Sequence, residues 1–308
     1  MREDYDLPAA WRLAQTIRRF KPHVVHAHHP RAHALALLAS LFATVPNLVV
    51  SRRVSFRLKK WNIFSQWKYR SKKIRTFVAV SEDIRRVLID GGVGPEKVTV
   101  IHSGVDVQRF SPRPAADDLR RGLRLPADRP VVGNLTHFSW WKGQTVFLDA
   151  AKLLLDAGVS AHFLLAGKET DGSEAREKVR ALGIGAQVTL AGFRTDVPEI
   201  LSLLNVSVLS SLAGEGFSGV LREAMCMGVP VVATDVGGNS ELVKDGKTGR
   251  LVPPGDAGAL AAAIRHVLAD HAQAQDMARA AQENVTSHYS LESMVENTIA
   301  LYERVLAR

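Results

Sequence analysis

The feature that most constrains the fold of this chain is an alternation of helical and strand patterns, which occurs in two successive series. Amphipathic segments alternate with short apolar runs up to residue 101, and a second series of the same kind begins at residue 131. Alternation of this type predicts parallel sheets with crossover helices. A charged segment that contains prolines, 112–130, separates the two series and is predicted to be a linker. The pattern therefore predicts an α/β protein with two domains.

The periodicity also predicts the individual elements. In the first series we expect helices at 7–20, 31–42 and 82–89, and strands at 23–26, 47–51, 76–80 and 97–101. In the second series we expect strands at 131–135, 162–165, 188–190, 206–209 and 229–233, helices between them at 144–156, 173–182 and 197–203, and closing helices at 257–270, 272–287 and 291–307. Ser81 is predicted to cap the helix that follows it, because its hydroxyl can accept a hydrogen bond from a first-turn amide.

One stretch of the second series, residues 214–241, combines a glycine-rich turn, an amphipathic helix and a short apolar strand. Glu215 lies in the turn, and Glu223 lies on the helix eight positions later. The first amides of this helix are predicted to present the positive end of the helix dipole, which favours a diphosphate. A carboxylate on the helix can accept paired hydrogen bonds from the hydroxyls of a ribose, each worth about 1.5–3 kcal/mol. The stretch therefore indicates a sugar-nucleotide site, with a solvated helix face as the alternative interpretation.

The same stretch resembles the Glu-x7-Glu signature of the retaining, nucleotide-sugar-dependent glycosyltransferases of family 4, which have the GT-B fold. The resemblance covers the turn, both acids, the Glu-Ala-Met helix, the Gly-x-Pro-Val-Val strand entry and the following Gly-Gly-x-x-Glu. It implies two Rossmann-like domains whose parallel sheets face a cleft. The implied division is a truncated acceptor-side domain at 1–112, a linker at 113–130, a nucleotide-sugar donor-binding domain at 131–286 and a C-terminal helix at 287–308 that braces the two domains.

The chain departs from the family pattern at its amino terminus. In the family the first domain opens with a strand, a Gly-rich loop and a helix, and nothing in this chain matches them. We therefore expect the first domain to be truncated, with a central strand left as an edge of the sheet. A misassigned start codon, a fragment and a naturally short, inactive relative are the interpretations that this departure leaves open.

The resemblance implies roles for individual residues of the second domain. Lys142 is expected to stabilise the departing diphosphate, and Glu215 is expected to orient hydroxyls of the donor sugar. Family members also carry an arginine on the diphosphate, but Asn134 stands at that position, so Arg194 is a candidate to replace it. One cation about 4 Å from a phosphate is worth on the order of 4 kcal/mol at an effective dielectric of 20, so a missing partner matters. The expected donor-binding residues are Glu223, Gly216, Phe217, Ser218, Gly219, Val220, Asn134 and Arg194.

A histidine-rich segment follows the first predicted strand, at the sheet edge where parallel-sheet proteins place ligands. His26, His28 and His29 lie there, but no Cys or paired acids accompany them, so a metal site is the less favoured interpretation. The resemblance places His28 on the acceptor side as a catalytic candidate. No Asp-x-Asp motif occurs in the second series. We therefore expect no metal and no cofactor, with the nucleotide sugar as a substrate.

The basic residues are concentrated in the first domain. Residues 1–110 contain 20 Lys and Arg against 8 Asp and Glu, whereas the chain as a whole contains 40 against 31. Between residues 52 and 75 the basic residues are mixed with aromatic ones, which fits a segment lying on anionic lipid. The alternatives are a solvated loop and helix with inward-packed tryptophans, or a nucleic-acid surface, which no recognised binding module supports. The expected membrane or acceptor surface comprises Arg52, Arg53, Arg57, Lys59, Lys60, Trp61 and Trp67.

The remaining composition is consistent with a cytoplasmic enzyme, at the inner face of the cytoplasmic membrane. No apolar run approaches the ~20 residues of a membrane span, and the single Cys226 excludes a disulfide within the chain. The resulting hypothesis is a transferase that moves a sugar from a UDP-, GDP- or ADP-sugar to an acceptor, with retention of configuration. The expected acceptor is a glycan or glycolipid of the cell envelope, such as a lipopolysaccharide. A sugar-nucleotide epimerase and a non-catalytic nucleotide-sugar-binding protein are the alternatives.

Overall fold

The computed structural model describes residues 6–56 and 63–307 of the 308-residue chain. The chain divides into two compact units. The first unit comprises the residues up to Ser103 and those from Glu292 onward, and the second unit comprises Gly104–Leu291.

The first unit contains a parallel sheet in the order β1-β2-β3-β4, flanked by helices. Asp6 starts the first helix, because its Oδ1 accepts a hydrogen bond from the Ala9 amide at 2.9 Å. Ser81 caps the fourth helix, as predicted, and its Oγ accepts from the Ile84 amide at 3.2 Å. The elements are α1 (Leu7–Phe20), β1 (Val25–Ala27), α2 (Pro30–Ala39), β2 (Leu48–Arg52), α3 (Ile63–Arg70), β3 (Ile74–Ala79), α4 (Glu82–Asp90) and β4 (Val98–Val100).

The second unit contains a parallel sheet in the order β10-β9-β8-β5-β6-β7. The strand order therefore reverses at β5, which pairs with β6 on one side and β8 on the other. The elements are α5 (Asp117–Gly122), β5 (Val131–Asn134), α6 (Gln144–Asp156), β6 (His162–Leu165), α7 (Ser173–Leu182), β7 (Val188–Leu190), α8 (Val197–Leu201), β8 (Val206–Leu209), α9 (Gly219–Cys226), β9 (Val231–Thr234), α10 (Asn239–Leu242), β10 (Arg250–Val252), α11 (Ala257–Ala269) and α12 (His271–His288).

The core of the second unit lies between this sheet and helices α6 and α11. Phe147 and Leu148 of α6 are fully buried and belong to the same apolar cluster as Phe163 of β6. The Phe147 and Phe163 rings meet edge to face, with their centroids 6.0 Å apart. Cys226 is buried on α9, where burial raises the pKa of its thiol to about 11. This core fixes the strands whose carboxyl ends carry the candidate site.

The last helix, α13 (Leu291–Leu306), belongs to the first unit from Glu292 onward. Its Leu301 and Val305 pack with Val49 and Val78 of the first sheet. The resemblance implied that a helix at 287–308 braces two domains, and what the structure shows is this packing within the first unit.

The boundary between the units differs from the one expected from the sequence. The amino-terminal part of the first unit ends at Ser103, so residues 104–130 belong to the second unit. Val105 forms a parallel bridge with Ser290, and its amide donates to the Tyr289 carbonyl at 2.8 Å. The segment expected to be a linker, 113–130, contains helix α5. The boundary is shifted because this segment contacts residues far along the chain. Proline content does not reveal such contacts.

Within the described residues, every helix is either too short or too polar to cross a membrane.

Two leucines of α6 test the assignment of the core. Leu148 has 0% of its surface exposed, whereas Leu153 is 46% exposed. We expect Leu148→Ala to lower the free energy of unfolding of the second unit by about 2–5 kcal/mol, because it leaves a cavity. Leu153→Ala should change it by no more than about 0.5 kcal/mol. Urea denaturation followed by circular dichroism measures both, and equal losses would contradict the assignment.

Candidate active site

The candidate site lies at the carboxyl ends of β5 and β8 in the second unit, where the strand order reverses. Open α/β sheets bind ligands outside the carboxyl ends of their strands at such a reversal. Asn134 ends β5, and Ser210 and Ser211 directly follow β8.

Asn134 is buried between these two strand ends. Its Nδ2 donates to Ser210 Oγ at 3.0 Å, and its Oδ1 accepts from Thr136 Oγ1 at 2.8 Å. Both ends of the amide are thus bonded within the protein. Asn134 was expected to contact the donor, but its hydrogen bonds join the two strand ends instead.

The loop between β5 and α6 is held by the side chain of Gln144. Its Nε2 donates to the His137 carbonyl at 2.6 Å, and its Oε1 accepts from the Ser139 amide at 3.3 Å. Gly143 has φ +65°, and a Cβ at this position would lie 2.1 Å from the Ser210 carbonyl oxygen. A side chain at residue 143 is therefore excluded, and this close approach fixes the position of the preceding Lys142.

Lys142 and Glu215 form the central ion pair of the site. Lys142 Nζ lies 2.6 Å from Glu215 Oε1, and Ser211 Oγ donates to the same oxygen at 2.5 Å. Glu215 is only 5% exposed. The Lys142 ammonium also lies 4.3 Å from the centroid of the Trp141 ring. Both charged residues were predicted as site residues from the sequence, and the structure brings them into contact.

The turn before α9 is fixed by packing as well as by hydrogen bonds. The buried Phe217 ring meets Tyr289 edge to face at 5.0 Å between centroids, and the guanidinium carbon of Arg222 lies over the ring, 5.3 Å from its centroid. The Gly238 amide donates to the Glu215 carbonyl at 3.3 Å. The Phe217 side chain is therefore occupied within the protein, and Gly216 lies buried beside it in the turn.

Helix α9 begins beside Glu215. Ser218 is its N-cap, and its Oγ accepts from the Leu221 amide at 3.4 Å. Gly219 and Val220 are the first two residues of the helix, so their amides have no intrahelical carbonyl to bond. This is the position that the sequence predicted for the helix start.

Glu223 is half-buried in the second turn of α9. A Cβ on Gly219 would lie 3.8 Å from Glu223 Oε1, so this carboxylate folds back over the first turn. Burial raises the pKa of Glu223, while Arg222 and Arg109 oppose the rise. The acid and the helix N-terminus therefore lie together, as the spacing predicted.

Arg194 is committed to another partner. Its Nε donates to Asp196 Oδ1 at 2.9 Å, and a second guanidinium nitrogen contacts the other carboxylate oxygen. An arginine held in this way is not poised to replace the family's arginine on a diphosphate.

Two histidines lie at the carboxyl end of β1 in the first unit. His26 uses both ring nitrogens, Nδ1 with Tyr302 Oη at 2.6 Å and Nε2 with Ser51 Oγ at 2.8 Å. Burial, with a contribution from His28, lowers the pKa of His26 to about 4. The exposed His28 ring lies 3.9 Å from the His26 ring between centroids, and burial together with nearby Arg53 lowers its pKa.

The expected membrane or acceptor surface is only partly described. Arg52 is a correction, because it is 8% exposed and its Nη1 donates to Tyr69 Oη at 2.5 Å. Arg53 is exposed, and Trp67 is 39% exposed. Four other members of this surface lie outside the described residues, namely Arg57, Lys59, Lys60 and Trp61.

Three residues at the same sheet edge as the central ion pair were not singled out from the sequence, namely His137, Lys168 and Ser211. Ser211 bonds Glu215 directly, and both Lys168 and Glu215 influence the pKa of His137. All three lie within three residues of the end of a buried strand, which was the available signal. In the part of the chain that the structure describes, no three His, Cys, Asp or Glu side chains form a possible metal site.

Comparison with known proteins identifies the class. Residues 116–284 match the family model "Glycosyl transferases group 1", and residues 1–109 match "Glycosyltransferase Family 4". The first match covers more than half of the chain. The two parallel-sheet units have the GT-B fold of the structural neighbours described below, and the chain belongs to the group 1 glycosyl transferases.

Two relatives with different names match this chain over different shares of their length. The lipopolysaccharide core biosynthesis mannosyltransferase LpsB of Rhizobium meliloti is 29% identical over 68% of this chain and 61% of LpsB. Glycogen synthase of Mycobacterium tuberculosis is also 29% identical, over 93% of this chain and 70% of that enzyme. The chain thus spans about six to seven tenths of the length of these two relatives.

Solved structures show the same fold. Anabaena Alr3699/HepE, in complex with UDP and glucose, is 27% identical with a TM-score of 0.86, over 96% of this chain and 82% of HepE. A glycosyltransferase from Rickettsia africae is 21% identical with a TM-score of 0.86, over 97% of this chain and 81% of that chain. The Rickettsia structure supports the fold alone.

The central ion pair predicts a specific coupling. The buried Glu215 carboxylate is bonded by the Lys142 ammonium and the Ser211 hydroxyl. Lys142→Met would remove the first of these partners and leave the second. We expect a loss of about 3 kcal/mol in the free energy of unfolding, because breaking a buried pair leaves an uncompensated charge. The double variant K142M/E215Q removes both charges and should recover part of the loss. Urea denaturation of both single variants and the double variant measures this coupling, and purely additive losses would contradict it.

Proposed function

We propose that this protein transfers a sugar from a nucleotide-sugar donor to an acceptor and binds the donor at the carboxyl ends of β5 and β8. The observation that carries the proposal is the Lys142–Glu215 pair, 2.6 Å apart beside the start of α9. A cation, helix amides and a second-turn acid lie together there. The structural neighbour HepE was solved with UDP and with UDP-glucose, which supports a donor of this class. UDP-, GDP- and ADP-sugars are the candidates.

The nucleotide is held through its ribose and its diphosphate. Glu223 accepts hydrogen bonds from two ribose hydroxyls, each worth about 1.5–3 kcal/mol. The diphosphate lies against the amides of Gly219 and Val220, where the helix dipole favours negative charge. The turn residues Gly216, Phe217 and Ser218 contribute backbone and packing that keep these amides in place.

Lys142 stabilises the leaving group. As the bond between the sugar and the phosphate oxygen breaks, negative charge grows on the β-phosphate, and a nearby ammonium lowers the energy of that state. Competition by phosphate oxygens for Lys142 frees Glu215 to accept hydrogen bonds from the sugar hydroxyls. In this proposal protein cations and helix amides act in place of a metal ion or cofactor.

The transfer retains the configuration of the sugar. The acceptor hydroxyl attacks from the face that the diphosphate leaves, and the β-phosphate oxygen takes the proton of that hydroxyl. One bond to the anomeric carbon breaks and one forms, and the proton passes to the leaving group. This mechanism needs no separate protein base.

The first unit supplies the acceptor side in this proposal. His28 is exposed at the end of β1, and Arg53 is close enough to lower its pKa. A neutral imidazole beside a guanidinium suits a hydroxyl next to an anionic group. The names of the R. meliloti relatives LpsB and LpsE, both of lipopolysaccharide core biosynthesis, support a glycan or glycolipid acceptor of the cell envelope. The enzyme would then work at the inner face of the cytoplasmic membrane.

Calorimetric titration of UDP-, GDP- and ADP-glucose and GDP-mannose tests donor binding. We expect one nucleotide to bind, and Glu223→Ala to weaken it at least tenfold, because two charge-assisted hydrogen bonds are lost. Glu177→Ala is the matched control, since Glu177 is exposed on α7. An unchanged affinity for E223A would remove the ribose assignment.

The same donor, labelled in its sugar, tests the reaction. Label transferred to a lipopolysaccharide core or glycolipid, with the configuration of the new bond read by NMR, supports the proposal. Label that stays on the nucleotide in an altered sugar indicates an epimerase. Binding without either change indicates a non-catalytic protein.

Association with anionic lipid is a separate expectation. Exposed Arg53 and Trp67 suit an interface where each basic residue adds about 1 kcal/mol. We expect the protein to sediment with phosphatidylglycerol vesicles at low salt and to be released at 0.5 M salt, about three times physiological ionic strength. The double variant R53Q/W67A should bind less, and equal retention on uncharged vesicles would contradict this expectation.

A further inference from the structure

A diphosphate at the proposed donor site would meet few cationic side chains. Lys142 is one, but Asn134 stands where the resemblance places an arginine, and its amide is bonded within the protein. Arg194 is paired with Asp196. A diphosphate carries two negative charges, so a single ammonium leaves part of its charge unbalanced. A second cationic group near the ion pair would balance the remaining charge.

His137 lies in the loop between β5 and α6, at the same sheet edge as Lys142. Two neighbouring segments, at Gln144 and at residues 167–168, fix its backbone. Gln144 Nε2 donates to its carbonyl at 2.6 Å, the next amide, that of Phe138, donates to the Lys168 carbonyl at 2.8 Å, and a Cβ on Gly167 would lie 2.9 Å from the His137 nitrogen. The position of this histidine is thus set by the fold.

The exposed His137 side chain belongs electrostatically to the same site. Its ring meets Trp141 edge to face, 5.3 Å between centroids, and Trp141 in turn contacts the Lys142 ammonium. The charged groups that act on it come from three segments: Lys142 before α6, Lys168 after β6 and Glu215 before α9. Lys168 is itself exposed at the carboxyl end of β6.

We propose that His137, supported by Lys168, is the second cationic group on the donor diphosphate and takes the place of the arginine that Asn134 replaces. This inference rests on the proposed function and adds a residue and a property to it. The property is proton uptake when the donor binds.

The sign of the coupling follows from the charges. In the empty site, burial, Lys142 and Lys168 lower the pKa of His137, and Glu215 opposes them, so the imidazole is neutral at neutral pH. An arriving diphosphate favours the imidazolium and raises that pKa. Between the pKa of the empty site and that of the occupied site, binding takes up a proton. Affinity therefore rises as the pH falls through this window and is constant on either side of it.

Calorimetry at pH 5.5–8.5 tests the inference on the whole chain, with whichever of UDP-glucose, GDP-mannose or ADP-glucose binds. The diphosphate of a nucleotide sugar does not titrate in this range, so it takes up no proton itself. Titrations in buffers of different ionisation enthalpy give the number of protons taken up. We expect the wild type to bind about tenfold more tightly at pH 6 than at pH 8, which corresponds to one unit of pKa difference.

Three variants separate His137 from other groups. His137→Gln should abolish proton uptake and match the wild type only at pH 8.5. His137→Lys should bind tightly across the whole range without uptake. His266→Gln, which alters an exposed histidine of α11, should behave as the wild type. Burial also raises the pKa of Glu223, but Glu223 is present in all of these proteins, so the difference in proton uptake between the wild type and H137Q reports on His137 alone.

The outcomes distinguish the two proposals. Wild-type proton uptake in H137Q would overturn the role of His137 and leave the proposed function standing. Absence of binding by any sugar nucleotide to the wild type would remove the proposed function, and this inference with it.

Discussion

The contact between the Lys142 ammonium and the Glu215 carboxylate is the interaction on which the candidate site depends. It joins the loop after β5 to the loop after β8, and the Ser211 hydroxyl shares the same carboxylate oxygen. A buried pair of this kind is not retained for stability, because desolvation offsets much of its attraction. In the proposed function its value lies in position, because each charge holds the other where a phosphate or a sugar hydroxyl would bind. The glycine at 143, pressed against the Ser210 carbonyl, leaves the pair little freedom to shift.

Much of this arrangement could be predicted because its causes are local. The helix Leu7–Phe20 has the predicted bounds, and the strand ends near Asn134 and Leu209 follow from short apolar runs bounded by polar residues. The start of α9 was evident from the glycine-rich turn before it, and the structure adds Ser218 as the N-cap. Placing Glu223 beside that start needed only helical spacing.

The differences arise where distant segments decide the outcome. Arg52 reads as part of a basic surface, yet the fold brings Tyr69 to it and buries it. Residues 104–112 read as the end of the first domain, yet Val105 pairs with Ser290 in the second unit. Asn134 was predicted to contact the donor, yet its side-chain amide is hydrogen-bonded to Ser210 and Thr136. Each partner lies outside the local window that a sequence pattern samples, and only the assembled sheet shows it.

The reversal of strand order at β5 has a consequence for folding. Lys142 and Glu215 are separated by 73 positions, and their loops meet at the edge where β5 pairs with β8. Closing so long a stretch of chain is slow compared with forming a helix. A nucleotide bound at the proposed site would therefore bind only the fully folded second unit. By mass action it would stabilise that folded state relative to partly folded forms.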